Sequence, residues 1–176
     1  MNSLPKPVLT LIISFSFRNR AVCKRWRDAV VYSFAERDFK KIMVRGTASI
    51  LRMFLAQYPV VDWQRGFERA CAAGNENIVH YMAQYFIQRW DTPLAIACKK
   101  GHENIVRILI QHGADDWDAG LLGACKGGQK KIACEMIQRG ANNLNICLLY
   151  AWGKAGIREL LIQNGANIST AIFNPN

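Results

Sequence analysis

Six cysteines (Cys23, Cys71, Cys98, Cys125, Cys134, Cys147) and three histidines (His80, His102, His112) are the residues best suited to hold a metal or carry redox or nucleophilic chemistry. A structural zinc site would need ligands paired at short spacing, such as Cys-x-x-Cys. No two cysteines are so spaced, and no Cys/His cluster has metal-ligand spacing. No histidine stands beside a credible nucleophile or carboxylate pair, so general acid–base or nucleophilic catalysis is not indicated. Gly127-Gly128 and Gly153-Lys154 lack the spacing of a phosphate-binding loop and read as helix stops. The expectation is a non-enzyme with no cofactor, no metal and no catalytic residue.

The elements that position these residues are set by a repeat. Trp63, Trp90 and Trp117 are each 27 residues apart. The same spacing links Phe67, Leu94, Leu121 and Leu148, and Ala70, Ala97, Ala124 and Ala151. It also links Cys71, Cys98 and Cys125; Gly74, Gly101 and Gly128; Ile78, Ile105 and Ile132; and Gln57, Gln84, Gln111 and Gln138. Gln163 follows after 25 residues, so the final unit is two residues shorter. A fixed period of this length is the signature of a repeat architecture.

Each unit reads as two short helices. In the unit from Trp90, Thr92-Pro93 supplies a start signal, since proline is tolerated in a first helical turn. Leu94, Ala97 and Cys98 form one apolar stripe, and Ile105, Ile108 and Leu109 a second. Gly101 and Gly113-Ala114 end the two helices. A two-turn helix cannot bury its face alone, so such units must stack into a continuous core, with small residues where helices approach. Neighbouring stacked helices lie ~8–10 Å apart, whereas disulfide-bonded Cα atoms must come within about 7 Å. The cysteine column therefore reads as small buried residues. Gln64, Asp91, Asp118 and Asn145 are expected as turn or cap residues.

Thr92-Pro93-Leu94, Ala97, Gly101-His102, Ile105-Val106, Leu109-Ile110 and Gly113-Ala114-Asp115 resemble the ankyrin repeat. The resemblance extends over the neighbouring units at 66–90 and 118–142, and more weakly over 143–167 and 36–62. The ankyrin period is usually ~33 residues. The six missing here fall where that repeat forms a projecting β-hairpin finger, so the fingers are expected to be reduced to tight turns. The concave first-helix face remains as the binding surface. The resemblance implies an all-α solenoid, and it implies that His102, after its glycine, serves turn hydrogen bonding.

Residues 4–26 carry a second pattern: Leu4-Pro5, Val8-Leu9, Ile12-Ile13 and Val22-Cys23-x-x-Trp26. Val8, Leu9, Ile12 and Ile13 form one face of a helix. The pattern resembles the F-box, with Val22-Cys23 about five residues closer to Leu4-Pro5 than is typical of that motif. An F-box-like motif before short ankyrin units looks like a family abundant in large DNA viruses. The resemblance implies docking of Leu4, Pro5, Leu9, Ile12, Ile13, Val22, Cys23 and Trp26 onto the F-box adaptor subunit of a cullin-type ubiquitin ligase. The expected division is an F-box-like motif over 1–35 and repeats over 36–176, with four clear or partial units from about 64 and one degenerate unit before them.

The net charge of +10 is concentrated at the N-terminus, where residues 1–45 hold ten Lys/Arg against three Asp/Glu. The apolar run Val8 to Phe17 is ten residues long, half the ~20 needed to span a bilayer. It reads as a buried amphipathic helix rather than a signal peptide. The chain is therefore expected in the cytoplasm or nucleus (of a host cell if viral), with reduced thiols and no membrane partner. On the repeat face, Lys99, Lys100, Lys126, Trp90 and Trp117 are candidate contacts for an unknown target protein. Ordinary solvated charge and packing over the shortened turns explain the same residues.

Three functions fit these observations. The first is a ligase adaptor that bridges the adaptor subunit and a target. The second is an ankyrin scaffold that binds or sequesters a partner without ubiquitin, residues 4–26 merely capping the stack. The third is nucleic-acid binding through the basic region 18–45. Around Lys99-Lys100, Lys126 and Lys130-Lys131, by contrast, nothing interleaves basic with aromatic residues in the manner of a strand-binding surface. The leading expectation is a monomer whose partners are proteins.

Overall fold

The computed structural model describes residues 37–57, 62–85 and 89–167. Ten helical segments and no strand occur among them. They are α1 (37–45), α2 (Ala48–Gln57), α3 (Trp63–Ala73), α4 (Glu76–Tyr85), α5 (Asp91–Lys100), α6 (Glu103–Gln111), α7 (Trp117–Gly127), α8 (Lys130–Gln138), α9 (Leu144–Tyr150) and α10 (Ala155–Gln163). The chain divides into two units, Met1–Asp38 and Phe39–Asn176, and the contacts described here lie within the second. It is the all-α repeat stack that the 27-residue period predicts.

The first helices α3, α5, α7 and α9 stack in one layer, and the second helices α4, α6, α8 and α10 in another. The repeat columns become the core between the layers. Phe67, Leu94, Leu121 and Leu148 are buried, as are Ala70, Ala97, Ala124 and Ala151. Ile78, Ile105, Ile132 and Ile157 face them from the second helices. Burying one such large side chain is worth about 1.5–3 kcal/mol. The alanines let the first helices approach closely. The approach is closest between α5 and α7, where a Cβ on Gly123 would strike the Ala95 carbonyl oxygen and one on Gly127 that of Lys99. Gly127 is thus a close-approach residue inside α7, and Gly128 alone is the helix stop.

Two of the first helices, α3 and α7, start on an aspartate cap. Asp62 accepts from the Arg65 N–H at 3.0 Å and Asp116 from the Ala119 N–H at 2.8 Å, each filling an orphan donor of the first turn. Of the column expected as turn or cap residues, Gln64, Asp118 and Asn145 bond to turn backbone. Asp118 Oδ1 accepts from the Asn142 and Asn143 N–H groups at 2.7 and 3.1 Å. Asn145 Oδ1 accepts from the Asn167 N–H at 2.8 Å, and Gln64 Nε2 donates to the Arg89 carbonyl at 3.3 Å. These side chains hold the turn of the next unit. The connections at 112–116 and 139–143 are five residues long with no strand, so the fingers are indeed reduced to turns.

A second set of ties starts at the residue after each first-helix glycine. Asn75 Nδ2 donates to the Met43 and Gly46 carbonyls at 3.2 and 3.0 Å. His102 Nε2 lies 3.3 Å from the Ala72 carbonyl. A carbonyl can only accept, so this nitrogen carries the hydrogen. His102 therefore bonds the preceding unit rather than its own turn. The Gln129 carboxamide lies against Gly101 but donates from Nε2 to the Gly127 carbonyl of its own unit at 3.3 Å, and Lys154 Nζ donates to the Cys125 and Lys126 carbonyls at 2.8 Å each. At Asn75, His102 and Lys154 the side chain of one unit thus closes the helix end of the unit before it.

The two-residue deletion falls at the end of the last first helix. Seven residues form α9 against eleven in α7. Gly153 takes over the positive-φ turn of Gly128, and the core columns resume at Ile157. At the other end, α1 and α2 form a divergent pair that buries Phe39, Met43 and Leu51.

Candidate protein-interaction surface

The first-helix layer presents its outward residues along one face. Its charges are separated by the helix axis. Asp91 opens α5 and Asp118 lies in the first turn of α7, while Lys99, Lys100 and Lys126 lie in the last turns. Eight residues separate Asp91 from Lys99, or roughly 12 Å along the axis. A cation at a helix C-terminus also complements the helix dipole. All three lysines are exposed. Lys99 and Lys126 are brought onto neighbouring helices by the approach of Gly127 to the Lys99 backbone.

Two columns grow more apolar along the stack: Glu68, Ala95, Leu122 and Leu149 pass from charge to leucine, and Arg69, Ile96, Gly123 and Tyr150 from arginine to tyrosine. Ile96 and Leu122 are partly buried against the core and Gly123 is buried, whereas Leu149 and Tyr150 are exposed. On α9 and the turn after it, Ile146, Leu149, Tyr150 and Trp152 are 53%, 51%, 47% and 82% exposed. Lys126 Nζ stands 4.3 Å from the Tyr150 ring centroid, and the Arg158 guanidinium 5.6 Å from that of Trp152. Sequence reasoning did not single out these four apolar residues. Their signal was present: Leu149 and Tyr150 lie between the core residues Leu148 and Ala151, and Ile146 and Trp152 flank the core residues Cys147 and Ala151, at positions where polar residues normally face water. Val44, Ile50 and Met53 are further exposed apolar residues, on α1 and α2.

The tryptophan column is turned towards the stack. Trp63, Trp90 and Trp117 are half-buried against the core. Trp90 meets Phe67 edge to face at 6.0 Å and stacks on His112 at 5.9 Å. Trp63 meets Phe39 edge to face at 6.0 Å. Arg139, one repeat on from His112, lies over Trp117 at 5.3 Å. The rings fill the space beside the shortened turns, and their faces are occupied within the chain.

The cysteine column is interior. Cys71, Cys98, Cys125 and Cys147 are buried thiols, and Cys134 is half-buried. Burial, with the nearby charge of Glu135, pushes the Cys98 thiol from 9.0 up to about 12. Burial and Glu68 raise Cys71 in the same way. Cys125 and Cys147 share a hydrogen bond that lowers the first and raises the second. No group of three or more His, Cys, Asp or Glu side chains among the described residues could hold a metal ion. No helix among them is long and apolar enough to cross a membrane.

On the second-helix layer a groove is lined by Arg107, Lys130, Lys131, Glu135 and Arg139. Two of its cations are paired within the chain. Lys131 pairs with Glu103 at 2.6 Å and Arg139 with Glu135 at 3.0 Å. Leu4, Pro5, Leu9, Ile12, Ile13, Val22, Cys23 and Trp26 lie outside the described residues. A family model described as ankyrin repeats (3 copies) matches residues 67–172. No curated protein matches the chain.

Proposed function

The chain belongs to the ankyrin repeat family, and from that premise we propose that it is a non-catalytic adaptor that recruits a target protein to a cullin-type ubiquitin ligase. Ankyrin repeats indicate a protein–protein interaction domain. The observation that supports target binding is the first-helix face, where exposed apolar residues on α9 adjoin the lysines that end α5 and α7. Large exposed apolar clusters rimmed by polar groups mark interaction sites on soluble proteins.

The ligase half of the reading rests on the F-box-like pattern of residues 4–26. Leu4, Pro5, Leu9, Ile12, Ile13, Val22, Cys23 and Trp26 would enter the adaptor subunit's groove, with Trp26 as the aromatic anchor. Holding the ligase at one end and the target at the other raises the local concentration of target lysines without any chemistry in this chain. The short spacing between Leu4-Pro5 and Val22-Cys23 favours a second reading, in which the stack binds a partner without ubiquitin.

A pull-down with the F-box adaptor subunit separates the two. Wild type is expected to retain the subunit, and Trp26→Ala and Leu9→Ala variants with intact helical content to lose it. Failure of the wild type to retain it sinks the ligase reading and leaves the scaffold.

A further inference from the structure

We propose that the exposed apolar side of α9, with the basic helix ends beside it, docks an acidic protein segment that also carries apolar side chains. This deepens the target-binding half of the proposed function and rests on that reading. Ile146, Leu149 and Tyr150 lie at i, i+3 and i+4 on one side of α9, and Trp152 continues the cluster into the turn. Four of the eight large apolar side chains that are exposed among the described residues fall in this seven-residue stretch. Scattered single exposures need no explanation, but a contiguous cluster does.

Charge selects the partner. Lys126 and Arg158 stand over the Tyr150 and Trp152 rings, so the apolar cluster is bordered by cations. Lys99 and Lys100 extend the basic border onto α5. The acidic residues of α5 and α7 lie at the opposite ends of those helices, and the Asp118 carboxylate is taken up by the Asn142 and Asn143 N–H groups. A segment lying across the helix ends therefore meets cations and apolar surface together. An acidic segment gains on both counts, and a basic one is repelled. The aromatic rings are the expected anchors.

The test pans full-length protein against a displayed random peptide library. Enriched peptides are expected to combine Asp or Glu with Leu, Phe or Trp. They should bind Trp152→Ser about tenfold more weakly. They should also weaken on Lys126→Glu, and their affinity should fall as salt rises. Trp152 is 82% exposed, so its variant should keep the wild-type melting temperature. The proposal is overturned by no enrichment, by enriched peptides without acidic residues, or by binding that both variants leave unchanged. Two further results would overturn it by assigning the surface elsewhere. One is a wild-type dimer that Trp152→Ser converts to monomer. The other is peptide binding that appears only after residues 168–176 are removed. Binding of the F-box adaptor to the wild type keeps the two readings apart, because absence of adaptor binding with peptide binding present sinks only the ligase half.

Discussion

The ammonium of Lys154 lies 2.8 Å from the carbonyl oxygens of both Cys125 and Lys126. A residue of the last unit thereby satisfies the helix end of the unit before it. Orphan carbonyls at a helix C-terminus need such partners, and a cation also suits the dipole there. Replacing Lys154 with Met keeps the aliphatic stem and removes the donor. The expected cost, discounted because the group is partly solvated, is about 1 kcal/mol. Urea unfolding of the variant should show that loss at unchanged m-value, and an unchanged midpoint would mean that the bond contributes nothing.

Two glycine substitutions should separate turn strain from steric approach. Gly101 has φ +81°, and its added Cβ would lie 2.8 Å from the movable Gln129 carboxamide. Gly101→Ala should cost about 1–2 kcal/mol, mostly backbone strain. Gly127→Ala places its methyl on the Lys99 carbonyl oxygen, which cannot move without displacing α5. Its cost should reach about 3 kcal/mol, the upper end of the usual range for overpacking. Thermal melts of the two variants check the order, and a Gly101 variant less stable than the Gly127 one would reverse it.

The tryptophans should divide by role. Trp90 is held between Phe67 and His112, so Trp90→Ala is expected to destabilise by about 3 kcal/mol. Trp152→Ser, at 82% exposure, should change stability by less than about 0.5 kcal/mol. Denaturant titration of both variants decides the matter. Equal effects would place the two rings in equivalent environments, contrary to this account.

The buried thiols set an alkaline limit. Burial raises Cys98 from 9.0 to about 12, so above pH 9.0 the unfolded chain releases a proton that the native chain keeps. The native state then binds more protons, and stability must fall as pH rises through that window. Cys71 acts in the same direction. Unfolding free energies measured on either side of pH 9 should decline for wild type and decline less steeply for Cys98→Ala. Parallel slopes would show that this thiol is not the cause.

Much of the fold was legible because each helix pair repeats the same core solution. Leu94, Ala97 and Ile105 recur in register with their counterparts, and each buried column follows from that register. The ties between units were not legible. Asn75, His102, Gln129 and Lys154 share a place in the stack but no chemical type, so they form no column in the sequence. Asp118 looked like a local cap because its bond to Asn142 and Asn143 spans 24 and 25 residues, visible only once units are stacked. Lys99, Lys100 and Lys126 stand near helix ends that the glycine stops predict, so their exposure was legible, whereas that of Leu149 and Tyr150 was not. Leu149 and Tyr150 lie between the core residues Leu148 and Ala151 in one unbroken apolar run, in which residue type alone does not separate the exposed residue from the buried one.

The central claim is that this chain joins two proteins through separate surfaces. Titration calorimetry of the purified F-box adaptor subunit into the full chain tests it most directly. The account predicts one-to-one binding, lost in Trp26→Ala and unchanged in Trp152→Ser. Absence of binding to the wild type, or loss of it in Trp152→Ser, would contradict the claim.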